Sequence, residues 1–314
     1  MIPDTARKAK ETVASRISSN QLLFMRRTVE QTIAIWRVFR KDPFAMTSIL
    51  ILVMFVLIGI FAPVITAYTP TQTFITSEGA EVLEPPSLKH PMGTNHISND
   101  VFTQWVWGTR ISIIVGLVSG FSVFVIGTTV GLISGYYKGN TDLMIMRIVD
   151  ILYGIPAIPL ILVLAMFFGN SLVNILLAFM LVLWRTMARV IRSQTLSLTE
   201  RPFVKAAKAI GASDGRIIFL HIAPNVMSIA LIQTILIVSW AIALEAAVSF
   251  LGLGVTGVSW GTMLQSSFVT GAIRTAWWWV IPPGASITVI VVSLFYISRA
   301  LEEIINPEVS QHQQ

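Results

Sequence analysis

The chain contains no cysteine, and only 12% of its 314 residues are charged. The missing cysteine excludes disulfides, thiolate nucleophiles and cysteine-ligated metal sites. A soluble globular domain carries about 25% charged residues, whereas 54% of this chain is hydrophobic and its mean hydropathy is +0.74. The composition therefore indicates a membrane protein that crosses the bilayer several times.

Several catalytic motifs are also missing. The sequence has no phosphate-binding loop of the G-x-x-x-x-G-K-[ST] type, no H-E-x-x-H and no G-x-S-x-G. Its four histidines are His90, His96, His221 and His312; the first two share a loop, but two histidines without a third ligand make a poor metal site. We therefore expect no catalytic residues, no metal site and no cofactor bound by this chain.

Six segments are long and apolar enough to cross a bilayer, which takes about 20 residues each. All-α architecture with six transmembrane helices follows from them. Together these spans are 47–68, 111–136, 144–168, 172–192, 226–250 and 280–300.

Lysine and arginine mark the side of the membrane on which each connection lies. With six spans, every basic residue except Lys89, Arg110 and Arg274 falls on one side. The positive-inside rule places that side, and both termini, in the cytoplasm. The net charge of +6 is thus a topology signal rather than a sign of nucleic-acid binding, and the chain is expected in the cell (inner) membrane.

These spans divide the chain into five regions. Residues 20–41 mix apolar and basic residues in a pattern typical of a helix lying in the membrane interface, although a basic tail that only sets orientation is the alternative. The proline-rich outer loop is long enough to form a small ordered cap. In order, the regions are a cytoplasmic segment 1–46, a first span 47–68, an extracellular loop 69–109, a core of five spans 110–301 and a cytoplasmic tail 302–314.

The second span is rich in glycine, and the third contains proline. Small residues let helix backbones approach closely in a membrane, so the second span faces either a partner subunit or other helices of this chain. Pro156 and Pro159 predict a bend in the third span. The glycines of the second span are Gly116, Gly120, Gly127, Gly131 and Gly135.

Two acidic residues are candidates for a role in the transport pathway or in structure. An ionisable group within a membrane is costly, and it is usually paired or functional. Asp150 lies close in sequence to Arg147, which favours an ion pair or a helix-end contact. Glu245 lies deeper, and we favour a satisfied structural hydrogen bond over a proton relay, because a lone acid makes no relay chain.

The connector between the fourth and fifth spans, residues 200–225, reads ERPFVKAAKAIGASDGRIIFLHIAPN. Glu200 and Pro202 are typical of a helix start, and Gly211 can adopt the left-handed conformation that ends a helix. Ser213 or Asp214 can cap a second helix. Pro224 is then expected to stop that helix before the fifth span.

A structured helix pair on the positively charged side indicates a docking site for another protein. Small alanines would allow the other surface to approach, beside an apolar patch of Val204, Ala206, Ala207 and Ile210. The alternative is a self-contained helix–turn–helix that rests on the membrane. The residues we assign to docking are Glu200, Pro202, Lys205, Ala206, Ala207, Gly211, Ile217, His221 and Pro224.

This stretch resembles the EAA loop of ABC-importer permeases. The similarity lies in the double alanine at 206–207, in Gly211 four residues later and in the HIAP sequence at 221–224. Further segments resemble, in order, the second permease of the dipeptide/oligopeptide group: MGTNHISNDVF at 92–102, GTRISIIVG at 108–116, RIVDILYGIP at 147–156, EAAVSFLGLG at 245–254, SWGTML at 259–264 and WWWVIPPG at 277–284.

The resemblance implies a type I ABC importer permease fold in which the connector is a coupling helix seated in a groove of an ATPase. It also implies a second homologous permease, two ATPase chains that bind ATP and Mg, and an extracellular solute-binding protein. Peptides or oligosaccharides would be the cargo. The chain departs from the family pattern at Lys205, where a glutamate is usual, at Asn95 and at Ser298-Arg299.

Two other classes remain open at the level of the residues. A stand-alone secondary transporter or channel would carry clustered acids inside the membrane, for which Asp150 and Glu245 are the candidates. A membrane-anchored scaffold would carry no pathway at all. Neither class accounts for a structured docking connector.

Overall fold

A computed structural model describes residues 42–73, 75–76, 79–80 and 82–305. The predicted interfacial helix at 20–41 lies outside these residues, and so does most of the predicted tail. Residues Thr47–Arg299 form one compact unit, whereas the described parts of the chain ends, 42–46 and 300–305, belong to a second.

The fold is almost entirely helical, as predicted. A two-residue antiparallel pair, β1 (Ile75–Thr76) with β2 (Gly79–Ala80), lies in the loop before α3. The helices are α1 (Pro43–Ile60), α2 (Ala62–Ile65), α3 (Val101–Tyr137), α4 (Gly139–Tyr153), α5 (Ala157–Phe168), α6 (Leu172–Thr199), α7 (Pro202–Ala209), α8 (Asp214–Ile217), α9 (Ala223–Phe250), α10 (Trp260–Val269) and α11 (Trp277–Ile305). A π-helical turn, Ile218–Ile222, joins α8 to α9, and a 3₁₀ turn, Ala272–Arg274, precedes α11.

Five helices of the described chain are long and apolar enough to cross a membrane. They are α1, α3, α6, the continuous helix Asp214–Phe250 and α11. The pair α4 and α5 makes a sixth candidate only if both halves are counted as one span, because they are bent by 89°.

The first two helices differ in extent from the spans predicted for them. The first ends at Ile60 rather than 68, and a short helix with proline in its first turn follows. The predicted loop 69–109 is too long, because α3 begins at Val101. Asp100 sets that start: its carboxylate accepts the Thr103 N–H at 2.7 Å, as a helix N-cap does.

The predicted bend in the third span is confirmed, but the segment 144–168 is two helices rather than one. Gly154 caps α4, and Pro156 precedes the first residue of α5. Pro159 lies in the first turn of α5, where a missing N–H leaves no hydrogen bond unmade. The break therefore comes from Gly154 and Pro156, and Pro159 is compatible with the second helix.

The glycines of α3 pack within this chain rather than against a partner. A Cβ on Gly120 would lie 2.3 Å from the Val238 side chain on α9, and a Cβ on Gly131 would lie 2.7 Å from the Ala188 carbonyl oxygen on α6. The other three glycines make equally tight contacts with Ile242, Met187 and Thr195. The helix α3 is therefore the centre of the bundle, in backbone contact with α6 and α9.

Residues 90–100 of the loop between α2 and α3 are held by buried polar contacts. His90 Nδ1 and Asp100 lie 2.8 Å apart, and both side chains are buried. His96 stacks on Trp279 at 5.3 Å, and Trp278 donates its indole N–H to the Thr94 carbonyl. Both histidines thus contact protein groups, and the described residues contain no cluster suited to a metal ion.

The glycine packing generates a stability prediction. Gly131→Ala forces a methyl group against the α6 backbone, and such overpacking costs about 1–3 kcal/mol. We expect a lower unfolding temperature in detergent. Gly284→Ala is the matched control, because a Cβ there meets no atom within 4 Å; equal melting temperatures for the two variants would contradict the packing role.

Candidate functional site

The connector begins with α7, which presents one face outward and buries the other. Pro202 is its first residue and Arg201 its N-cap. Val204 and Ala207 are buried against the chain. Ala206 is exposed on the other face, so the apolar patch predicted from the sequence is divided between packing and surface.

Gly211 ends α7 in the predicted left-handed conformation, with φ of +80°. Its N–H donates to the Lys208 carbonyl, and the Ala212 N–H donates to the Ala207 carbonyl, both at 3.1 Å. This pair of bonds is a Schellman motif. A Cβ on Gly211 would meet no atom within 4 Å, so only the backbone conformation requires glycine.

A depression of about 370 Å³ opens beside this turn. Ile210 stands at its edge with 85% of its surface exposed, and Phe203 is also exposed. The remaining wall is made of small and basic residues. The complete lining is Phe203, Ala206, Ala207, Ile210, Gly211, Ala212, Arg216 and His221.

Glu200 does not act as the expected acid at a helix start, because it caps the C-terminus of α6. Its carboxylate binds Lys138 Nζ at 2.6 Å and Lys205 Nζ at 3.1 Å. These two lysines lower the pKa of Glu200 to about 2, and the hydrogen bond from Lys138 has the larger effect. The residue that replaces the family's usual glutamate, Lys205, is therefore paired within the connector.

A second contact ties the connector to the end of α3. The Tyr136 hydroxyl donates to Asp214 at 2.7 Å, and Asp214 is the first residue of α8. Sequence reasoning missed both Tyr136 and Lys138, because residues more than 60 positions away in the chain carry no local signal of the contact. Ser213 is the N-cap of α8 by backbone geometry alone, without a side-chain hydrogen bond.

Pro224 does not stop the second connector helix, which was predicted to end there. The helix runs without interruption from Asp214 to Phe250, and Pro224 lies in the first turn of α9. The preceding π-helical turn widens the backbone, which relieves the clash that proline makes with an earlier carbonyl. The Asn225 side chain donates to the His221 carbonyl at 2.6 Å and satisfies an acceptor there.

The predicted docking residues therefore do not all share one surface. Ala206, Ala207, Gly211 and His221 line the depression. Ile217 is fully buried and packs in the chain's own core. Glu200 and Lys205 lie at the surface beside the depression and bind each other.

The two candidate acids both have partners. Asp150 pairs with Arg189 at 2.8 Å, so the predicted partner Arg147 was wrong. Arg189 lies on α6, and the packing of α6 beside α4 brings it to Asp150. Glu245 is fully buried and accepts from Ser249 at 2.6 Å and Ser112 at 3.3 Å, as a structural hydrogen-bonding role requires; that role stays a prediction.

Comparison with known families gives two matches that together span most of the chain. Residues 127–311 match the model of the binding-protein-dependent transport system inner membrane component. Residues 31–86 match the N-terminal transmembrane domain of oligopeptide transport permease C.

Individual relatives agree with these families. The dipeptide transport system permease protein DppC of Alkalihalophilus pseudofirmus is 37% identical, over 86% of this chain and 87% of that protein. The oligopeptide transport system permease protein OppC of Bacillus subtilis is 33% identical, over 86% and 87% respectively. The glutathione transport system permease protein GsiD of Pectobacterium atrosepticum is 32% identical, over 74% and 77%.

A solved structure shares the fold. One chain of the MetNI methionine ABC transporter, solved in inward-facing conformations, superposes with a TM-score of 0.52 at 20% identity, over 65% of this chain and 95% of that one. The chain therefore belongs to the family of binding-protein-dependent transport system inner membrane components, as a membrane-embedded permease subunit of an ABC transporter.

Proposed function

We propose that this permease forms half of the translocation pathway of an ATP-driven peptide importer and that its connector docks an ATPase. The relatives above are named for dipeptides, for oligopeptides and for glutathione, itself a small peptide. Those names favour a peptide over the oligosaccharide that the sequence also allowed. The chain itself performs no covalent chemistry in this proposal.

The exposed depression at the end of α7 is the observation that carries the docking role. Phe203 and Ile210 are both exposed and both line the depression, and a contiguous exposed apolar patch of this kind is typical of an interaction site. The Schellman turn at Gly211 and the ion pairs of Glu200 hold the connector in a defined shape without a bound partner. A preformed surface loses less conformational entropy on binding than a flexible one.

The proposed assembly contains four kinds of subunit. This chain pairs with a second, homologous permease in the cell membrane, and two ATPase chains bind ATP and Mg on the cytoplasmic side. An external solute-binding protein delivers the peptide. Closure of the ATPase pair pushes on α7, and Glu200–Lys138, Asp214–Tyr136 and the continuous helix 214–250 carry the displacement into the membrane.

A stand-alone carrier is not favoured by the family match or by the state of the two acids. Glu245 already accepts hydroxyl hydrogen bonds, and Asp150 is paired with arginine. Reconstitution in proteoliposomes tests the proposal. We expect peptide uptake only when the ATPases, ATP and binding protein are all present; uptake by this chain alone would refute it.

A substitution at the turn should separate docking from folding. Gly211→Val places a β-branched side chain at φ +80°, where it is strained. We expect membrane insertion to be retained and co-purification of the ATPases to be lost. Gly215→Val is the control, because Gly215 has equally open surroundings without a positive φ; an equal effect of both would reject the role of the turn.

A second substitution tests the apolar edge of the depression. Ile210→Ser removes exposed apolar surface that a partner would bury, and a hot-spot loss of this kind weakens binding about tenfold. Titration of the ATPase subunits onto the purified permease measures the effect. Leu88→Ser, which also alters a fully exposed apolar residue, should leave ATPase affinity unchanged, and unchanged affinity in Ile210→Ser would exclude this contact.

A further inference from the structure

Three arginines occupy one face of α6 and all bind the helix α4. Arg185, Arg189 and Arg192 follow the i, i+4, i+7 spacing of a single helix face. In the sequence these arginines indicate only the orientation of the membrane spans. The helix α4 is the first half of the segment that is broken at 89°. The arginine contacts therefore attach this first half to α6.

Arg192 makes the contact nearest the connector. Its Nε and a terminal nitrogen lie 2.5 and 2.6 Å from the two oxygens of Asp142. The Ser134 hydroxyl on α3 donates to the same carboxylate. A bidentate arginine–carboxylate pair is both strong and directional, so it fixes the distance and the angle between α4 and α6.

Arg189 makes the second contact, one helical turn deeper. It pairs with Asp150 at 2.8 Å, and its guanidinium lies 4.0 Å from the centre of the Tyr153 ring. The Tyr153 hydroxyl also hydrogen-bonds to Thr186 on α6, at 3.0 Å. Ion pair, cation–π contact and hydrogen bond therefore join the same two helices at one level.

Arg185 makes the third contact, at the midpoint of a 28-residue helix that is about 42 Å long. Its side chain is buried, its hydrogen bonds go to the Leu152 and Ile155 carbonyls, and its guanidinium lies 4.7 Å from the Tyr153 ring. A helix that ends inside a membrane leaves carbonyls without intrahelical partners. The negative end of the helix dipole at α4 favours a cation there.

We propose that Arg185, Arg189 and Arg192 form a positioning ladder that makes α4 and α6 move as one body during transport. The three levels join α4 along its length, from its first turn to the break. Through Lys138 and Glu200, the same end of the bundle is tied to the connector. Displacement of the connector is thereby delivered to the 89° break, while α5, beyond the break, is free of the ladder's arginine contacts. The inference rests on the proposed ATPase docking.

A charge exchange at the outermost level tests the ladder. Asp142→Arg and Arg192→Asp each place like charges together, and we expect each to lower peptide uptake per ATP hydrolysed at least about fivefold, with the ATPases still co-purifying. The double variant restores the pair and should recover most of the coupling. Arg274→Asp is the control, because Arg274 is exposed in the 3₁₀ turn Ala272–Arg274, outside α4 and α6.

Recovery in the double variant is a result that a purely structural loss in both single variants would not give. Coupling that is normal in the single variants, or no better in the double variant than in either single one, would overturn the ladder. Failure of the unaltered chain to co-purify with ATPases would instead refute the docking proposal, so the two failures are distinguishable.

A covalent version of the second level gives an independent test. The chain has no cysteine, so Asp150→Cys with Arg189→Cys gives this chain only two thiols, which a short bis-methanethiosulfonate reagent links through two reducible disulfides. If α4 and α6 move as one body, linking them should leave uptake by that variant within about twofold of its unlinked value. Loss of uptake on linking that returns when the link is reduced would show that the helices separate, and would overturn the proposal.

The innermost level is tested by changing the chemistry of Arg185. Arg185→Lys keeps a cation and its donors near the α4 carbonyls, whereas Arg185→Met keeps the length and removes both. We expect uptake per ATP hydrolysed to fall in the methionine variant and to be largely retained in the lysine variant. Equal coupling in both would remove Arg185 from the ladder.

Discussion

The rest of the structure depends on the close backbone approach of α3 to its two neighbours. Five glycines let α6 and α9 come into contact with the α3 backbone, and in a membrane such packing takes the place of the hydrophobic drive between helices. Once α6 and α9 are fixed to α3, the connector between them has both its ends held. Its helices can then be short and still keep a defined shape, because the long helices determine where they begin and end.

Three charged side chains hold separate elements of the fold together. Glu200 lies between two lysines at the connector, Glu245 is surrounded by serine hydroxyls, and Arg185 meets the free carbonyls of a broken helix. Each group stabilises a junction between elements rather than the middle of one. These three charged residues therefore lie at contacts between separate segments of the described chain.

The fold class and the left-handed turn at Gly211 could be predicted from the sequence, because hydrophobic length and a glycine between two helical patterns are local signals. The break at Gly154 and Pro156 was local as well. The continuation of the helix through Pro224 has no local signal, because it depends on a π-helical turn that the residue pattern does not predict. The partner of Asp150 has none either: neighbours in sequence suggested Arg147, but helix packing brings Arg189 closer. The spacing of Arg185, Arg189 and Arg192 on one helix face can be read from the sequence. Their contacts with α4 cannot, because membrane orientation is sufficient to account for their charge.

The π-helical turn at Ile218–Ile222 also sets a phase relation along the continuous helix. Each residue of an α-helix advances the side chains by about 100° around the axis, so one residue accommodated in a wider turn rotates everything before it relative to everything after it. On this helix Asp214 accepts a hydrogen bond from Tyr136 before the turn, and Glu245 accepts one from Ser112 after it. The π-helical turn lies between these two anchor points, and it therefore sets the rotation of the connector relative to the part of the helix that carries Glu245.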